Sequence, residues 1–489
     1  MIGAGLLTAL IGSFGAGACT VFDTEPIRAY DAGTGSGGTA GAGGGAPEGP
    51  WWETMKGDCR VASPPTRDDA PPQSEEADDG PEFVMAMTFI RLGATAPPAA
   101  NVKDPAHLKP DPTAYLGIGF DVDGKCSASS TCRDADGGLI AELGCTPPVP
   151  VIATGQTDGT NCRDNAVGVT IPLSYAAPTT AEWFGVNEND WNCELHRGGY
   201  GVMFRIRKYN YRADDPTVTV DVYNTMGITT PNQRSWFCRG GQGGKDITAF
   251  DSRTYPDWRD ETGWLEAHPW VYAKSNWDVD TGGPDFLPDA KVHTKEAYVK
   301  DNYLVAFLPP HSVIGFIGKN SVTSGIRLTF ERGILAGRLV QETSGTWSLK
   351  NATLGGAVAP DTMLDAFEKI GYCENNMCGA YRTVSTVLDG VRDVFLDPTG
   401  KNPSETCDAM SIGMAIEAKQ ARLDGFTKED DPFLVDCPQP RHPKAPPPTC
   451  TCPEPPEPAV ADCGPDGGTG GTGGSGGSGG SGGNGDGGS

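Results

Sequence analysis

No apolar run in this chain reaches the roughly 18–20 residues that a membrane-spanning helix needs, so nothing in it reads as a span. Basic residues are also few: 38 Lys and Arg stand against 63 Asp and Glu, for a formal charge of −25 at pH 7. A nucleic-acid surface needs a basic patch to neutralise phosphates, and an acidic surface repels anionic lipid headgroups too. Both partners are therefore set aside. Histidine is scarce: His107, His196, His268, His293, His311 and His442 are dispersed, and no H-E-x-x-H pair exists. There is no credible G-x-S-x-G elbow either, because the matches in the Gly/Ser tail lie in low-complexity sequence, so hydrolase chemistry has no visible nucleophile. The Gly runs at both ends follow no strand and precede no helix opening with Lys-Ser/Thr, which makes them linkers rather than phosphate loops.

Cysteine, by contrast, is abundant. Fifteen are scattered through loop-like sequence without a repeated C-x-x-C pair, which argues for disulfides in an oxidising compartment rather than zinc. Ile2 to Gly17 is an apolar, small-residue stretch ending in Ala16-Gly-Ala-Cys19, the form of a secretory h-region followed by a bacterial lipobox. With Cys19 lipidated, an even number of cysteines is left for pairing. Short loops close easily, so local bonds Cys126–Cys132, Cys145–Cys162 and Cys193–Cys238 are expected, with Cys407 joined to Cys373 or Cys378.

Of 489 residues, 68 are Gly and 41 Pro, many in low-complexity blocks, which leaves one large domain of roughly 270 residues with appendages. The expected order is a signal peptide and lipobox (1–19), a Gly/Pro-rich flexible tether (20–80), a β-sandwich (81–358), a helical cap with a return strand (359–437), and a Pro-rich then Gly/Ser-rich disordered tail (438–489). Within the tether, 51–80 reads as extended and as folding little by itself.

Residues 324–367 organise the middle of the chain. Ile326, Leu328 and Phe330 alternate with Arg327, Thr329 and Glu331, the period of a strand with one buried face. Arg332-Gly333 turns into a second strand from Ile334 to Gln341, and Thr343-Ser344-Gly345 into a third that starts at Trp347, so this is a meander. Further strands are expected at 82–90, 114–123, 166–175, 200–209, 217–224, 303–308 and 411–418. The period changes to helical over 361–370, where Met363, Leu364 and Phe367 share a stripe, and again over 381–395. Many short strands with Gly, Asn, Asp and Pro between them indicate a mainly β protein, a sandwich with a small disulfide-linked helical cap.

Leu116-Gly-Ile-Gly-Phe-Asp-Val-Asp-Gly124, Arg163-Asp-Asn-Ala166, Tyr209-Asn210, Asp214-Asp215, Thr217-Val-Thr-Val220 and Cys407-Asp-Ala-Met-Ser411 follow one another in an order that resembles uncharacterised surface lipoproteins of myxobacteria. The similarity covers roughly residues 80 to 425. It implies no activity, but its sheet content looks like a concanavalin or laminin-G jelly roll, a likeness of fold and not of function.

Three groups of residues are candidates for chemistry. Glu188, Asp190 and Glu194 have the alternating parity with which jelly-roll glycosidases flank a glycosidic bond, although their polar surroundings look more like a solvated loop held by Cys193. Asp121, Asp123, Asp134 and Asp136 sit in D-x-D-G sequences, where short carboxylates on a tight turn can offer oxygen ligands to a structural Ca²⁺; a plain Asp-Gly turn accounts for the same residues. No other cofactor is indicated. Trp183, Trp191, Trp236, Trp258, Trp264, Trp270 and Trp277 are seven of the ten tryptophans. Of these, Trp183, Trp191, Trp236, Trp258 and Trp277 could stack on carbohydrate, or could simply be packing groups.

The expected function is that of a non-enzymatic, lipid-anchored extracytoplasmic surface protein of the bacterial envelope, an outer-membrane lipoprotein that scaffolds or binds glycan. The alternative is a jelly-roll glycoside hydrolase or lyase.

Overall fold

The structure is a computed structural model that describes residues 50–56, 59–73, 79–96, 111, 113–126, 144–148, 158–169, 188, 191–192, 195, 201–228, 270–273, 290–315, 327–369, 378–421 and 423–427. The chain enters through an antiparallel pair, β1 (Glu53–Lys56) and β2 (Cys59–Ala62). The main sheet then takes β3 (Phe83–Arg91), β4 (Gly201–Arg207), β5 (Asp215–Ile228), a short β6 (Trp270–Ala273), β7 (Val292–Lys300) and β8 (Tyr303–Phe307). A separate pair, β9 (Ser312–Gly315) and β10 (Arg327–Phe330), intervenes before β11 (Ile334–Gln341) and β12 (Trp347–Val358). Two helices, α1 (Pro360–Lys369) and α2 (Cys378–Gly390), lead to β13 (Met410–Ala421) and β14 (Leu423–Thr427).

Eight of these strands close into an antiparallel barrel, in the order β3-β4-β5-β7-β8-β11-β12-β13 and back to β3. The closing pair is β5 with β7, from Asp215 opposite Val299 to Val222 opposite Val292. The length of β5 allows this: beyond Val222 its remaining residues pair with β6, which in turn takes β14 in parallel. Along each strand one set of side chains points inward. Val218, Val220 and Val222 of β5, Leu304 and Ala306 of β8, and Ile412, Met414, Ile416 and Ala418 of β13 meet Met85, Met87 and Phe204 in one buried core. An eight-stranded barrel is just wide enough for its side chains to fill it.

Both ends are stoppered. Where β12 finishes, α1 and α2 add Leu364, Phe367, Val384 and Leu388 to the same core. At the opposite end, Phe83 and Tyr211 stack on Trp347 at 5.6 and 5.4 Å between ring centroids, and Tyr209 meets the indole edge-on at 5.6 Å.

This architecture corrects the sandwich. A jelly roll needs Greek-key crossovers, whereas here each barrel strand pairs with the next barrel strand along the chain, so the meander continues all the way round. The protein remains mainly β. Smaller corrections follow the same pairings. β10 belongs with β9 and not with β11, whose other partner is β8. Residues 114–117 form a 3₁₀ turn rather than a strand, and the segment after it makes a single bridge from Phe120 to Asp164. Residues 166–169 are helical, not extended, and α2 stops at Gly390, short of Phe395. Part of 51–80 folds onto the barrel wall: Trp52 is buried and meets Tyr303 edge-on at 5.1 Å. The disulfides differ as well. Cys126 bonds Cys162 and Cys145 bonds Cys407, which rules out Cys126–Cys132, Cys145–Cys162 and a bond from Cys407 to Cys373 or Cys378. Cys132, Cys193, Cys238 and Cys373 lie outside the described residues.

Glycines on β12 and β13 let other segments lie directly on the barrel's outer wall. A Cβ on Gly413 would come 2.5 Å from the Cα of Gly119, and one on Gly355 would come 3.1 Å from the Phe120 ring. Gly413→Ala should therefore lower the unfolding free energy by about 1–3 kcal/mol, the usual cost of overpacking. Denaturant titration measures it, and an unchanged midpoint would show that this approach tolerates a methyl group.

Candidate functional site

Two segments meet on that outer wall, residues 113–126 and 158–169. Gly119 lets the first lie against β13, and its carbonyl at Phe120 accepts the Asp164 N–H at 2.9 Å. The Asp121 N–H donates to Ala62 O at 2.9 Å, tying the segment to β2. From the second segment, Asn165 Oδ1 accepts the Gly413 N–H at 2.9 Å, and Ser411 Oγ accepts the Ala166 N–H at 2.9 Å. Ser411 then donates to Asp393 Oδ2 at 2.5 Å, with its own N–H on Asp393 Oδ1 at 2.7 Å. The Cys126–Cys162 bond closes the two segments on each other.

This assembly brings Asp121, Asp123 and Asp164 together, with one carboxylate oxygen from each lying within 4.8 Å of the others. Asp164 is buried, and its Oδ2 accepts the N–H groups of Val122 at 2.6 Å and Asp123 at 3.3 Å. Asp123 Oδ1 accepts the Lys125 N–H at 2.8 Å, an Asx turn. On its other side stands Gly144, where any Cβ would collide with the Asp123 carboxylate. The adjacent Cys145 holds that backbone in place through its bond to Cys407. Asp121 is only 1% exposed, and its Oδ1 is sealed from solvent with no hydrogen-bond partner.

Carboxyl groups so placed resist ionisation. Burial, then the charges of Asp123 and Asp158, pushes Asp121 up to about 8. Burial raises Asp164 well above the ordinary carboxylate range, and Asp123, Asp158, Asp393 and Asp121 add to it. Asp393 rises to about 7 through burial, against the pull of the two Ser411 hydrogen bonds. Asp123 is raised by burial too, with the Lys125 N–H opposing. The charge of Lys125 also acts against this on Asp123, and the buried guanidinium of Arg332 lies within reach of the same charges. Burial lowers the affinity of Arg332 for a proton, the carboxylates of Asp397, Asp123, Asp408 and Asp164 resist that, and its guanidinium donates to Phe395 O at 2.5 Å. A set of oxygen donors with no sulfur or nitrogen suits a hard cation such as Ca²⁺.

The site joins Asp121 and Asp123 of the first D-x-D-G sequence to Asp164, a residue quoted above only within Arg163-Asp-Asn-Ala166; its distance along the chain hid its part. Asp134 and Asp136 lie outside the described residues, as do Asp190, Glu194, Trp183, Trp236, Trp258, Trp277 and Cys19. Glu188 does not sit on a solvated loop. It is wholly buried, its Oε1 accepts the N–H groups of Leu92, Gly93 and Ala94 at 2.5, 2.6 and 3.0 Å, and its Oε2 accepts the Thr95 hydroxyl. It satisfies the backbone where β3 ends. Glu188, Trp191, Asn192 and Leu195 are helical and buried at the spacing of one helix face, and Trp191, at 1% exposure, is a core residue rather than a sugar platform.

The chain matches no family model, no curated protein and no solved structure.

The raised carboxyls give the metal-free protein a distinctive pH response. Unfolded aspartates titrate near 4, so below that pH both states hold the protons and the folded state keeps its full advantage; the advantage is lost as pH rises through the folded values of about 7 and 8. In chelator, stability should fall between pH 5 and 8 by on the order of 1 kcal/mol per pH unit, and Asp121→Asn should flatten that slope. Superimposable pH profiles for the two proteins would refute this assignment of the protons.

Proposed function

We propose that the chain is a non-enzymatic extracytoplasmic protein of the bacterial envelope, held at a membrane by lipid on Cys19, whose barrel serves as a binding or scaffolding body. One observation carries the reading: Cys126–Cys162 and Cys145–Cys407 cross-link distant segments over the barrel wall. Such bonds persist in oxidising compartments and are reduced in the cytosol. The packed interior supports the same reading, because among the described residues Met85, Phe204, Met414 and Ile416 fill the barrel with one apolar core, and recognition falls to outer walls and loops. The glycosidase alternative loses support at Glu188, whose two oxygens are engaged by backbone and hydroxyl donors and sealed from water.

The Gly-rich sequence after Cys19 suits an anchor that must clear the lipid surface. Stable anchoring takes more than one acyl chain. Fractionation of cells expressing a Cys19→Ser variant is expected to move the protein from the membrane to the soluble fraction, with loss of metabolic labelling by palmitate. Unchanged membrane retention would end the anchor proposal.

A further inference from the structure

We infer that the carboxylates of Asp121, Asp123 and Asp164 bind one Ca²⁺ ion, which clamps residues 113–126 and 158–169 onto the outer wall of the barrel. The three oxygens lie within 4.8 Å of one another, a span that a single ion with oxygen ligands at about 2.3–2.6 Å can bridge. Proximity of acids alone would not assign a ligand. The independent observation is Asp121 Oδ1, which is sealed inside the protein with no hydrogen-bond partner, although the Lys125 N–H and the Asp123 side chain act on the Asp121 carboxyl as a whole. Val122 and Asp123 give their N–H groups to Asp164, and Lys125 gives its own to Asp123. A buried acceptor without a partner is costly to fold, and a cation among the three oxygens removes that cost.

The surrounding backbone is shaped for the carboxylates. Gly144 leaves room for Asp123, and Gly119 and Gly413 bring the Asp121 segment down to the barrel wall. The Cys126–Cys162 bond fixes the separation of the two ligand-bearing segments. Asp123 is half-buried, so water can reach this side of the ion and complete its shell. Ca²⁺ accepts such an irregular set of six to eight oxygens, whereas Mg²⁺ demands a near-ideal octahedron and gives up its water reluctantly.

The test uses the full chain stripped with EDTA and titrated with CaCl₂ alone, by isothermal titration calorimetry and thermal unfolding. One ion per chain is expected, with an unfolding midpoint that climbs as Ca²⁺ is raised and a much smaller response to equal MgCl₂. Asp121→Asn keeps the side chain's shape and puts a neutral amide where the metal-free protein holds a mainly protonated carboxyl, so it should fold in chelator. Its calcium affinity should fall at least about tenfold, the loss typical of a disrupted metal site. Asp123→Asn, at the accessible edge, is the second variant and should lose affinity likewise. Absence of a bound ion, wild-type calcium binding in both variants, or a preference for Mg²⁺ would overturn the assignment. So would calcium binding abolished only by the paired change Asp134→Asn and Asp136→Asn.

Discussion

Everything else in the structure depends on the pairing of β5 with β7. Until those strands meet, the sheet has two open edges, and open edges are sites for pairing with other chains. Once they meet, a single inside is defined, and it is filled with aliphatic side chains and stoppered at both ends. The seam carries its own electrostatic fastening. Asp221 faces outward from β5, directly opposite Arg205 on β4 and His293 on β7. It is fully buried, with Arg207 Nε 2.8 Å from its Oδ2 and His293 Nδ1 3.1 Å from its Oδ1. Burial raises its pKa, and those basic neighbours pull the other way. Buried ion pairs contribute little net stability, but removing one partner of such a set is expensive. The arrangement thus selects the register in which all the partners coincide.

Closure also determines where polar chemistry can stand. With the interior filled by apolar side chains, buried polar groups such as Asp121, Asp164 and Asp221 collect on the outer wall, where added segments cover the strands. Asn192 illustrates the rule. The β3–β4 pairing spans Phe83 to Ala86, and farther along β3 the Ile90 N–H and carbonyl meet the Asn192 side-chain amide at 2.9 and 2.8 Å. Glu188 does the same for the three residues after β3. These polar side chains substitute for a neighbouring strand, and the same economy explains why a carboxylate that looks catalytic in sequence is structural in the fold.

The parts of this protein legible in its sequence are those set by local periodicity. The alternation at 82–90, 217–224, 334–341 and 411–418 corresponds to β3, β5, β11 and β13, and the stripe of Met363, Leu364 and Phe367 to α1. Topology was less accessible, because a Greek-key sandwich and an up-and-down barrel are built from strands with the same period of two. They differ only in which strands pair. Leu116 to Val122 alternates as well as any strand, but Gly117 and Gly119 allow a turn and a close approach to β13, and tertiary contact overrode the pattern. Around Glu188 the signal failed in the opposite sense. Polar, turn-like neighbours concealed the spacing 188, 191, 192, 195, whose side chains are buried together. The candidate site was half visible, since Asp-x-Asp-Gly marks a tight carboxylate turn, while Asp164 and Asp393 arrive through long-range pairing that no local pattern encodes.

The placement of Asp121 has a consequence for how the outer wall holds together. Its N–H binds Ala62 on β2, while its side chain faces Asp123 and Asp164, so the charge state of the carboxylates bears on the contact between the N-terminal hairpin and the barrel. Two carboxylates at this spacing, shielded from water, cannot both stay ionised without compensation. Either a proton or a metal ion can supply it. A proton satisfies one oxygen pair, whereas an ion is shared among three groups from two segments and converts their repulsion into a cross-link. The disulfides constrain the same segments covalently: Cys126–Cys162 joins the two, and Cys145–Cys407 fixes the backbone beside Asp123 to the start of β13. Covalent closure reduces the freedom of the unfolded chain and brings the carboxylates close before any ligand arrives, so the energetic penalty of their mutual repulsion is built into the fold, and relieving it is the one step left for solution conditions to control.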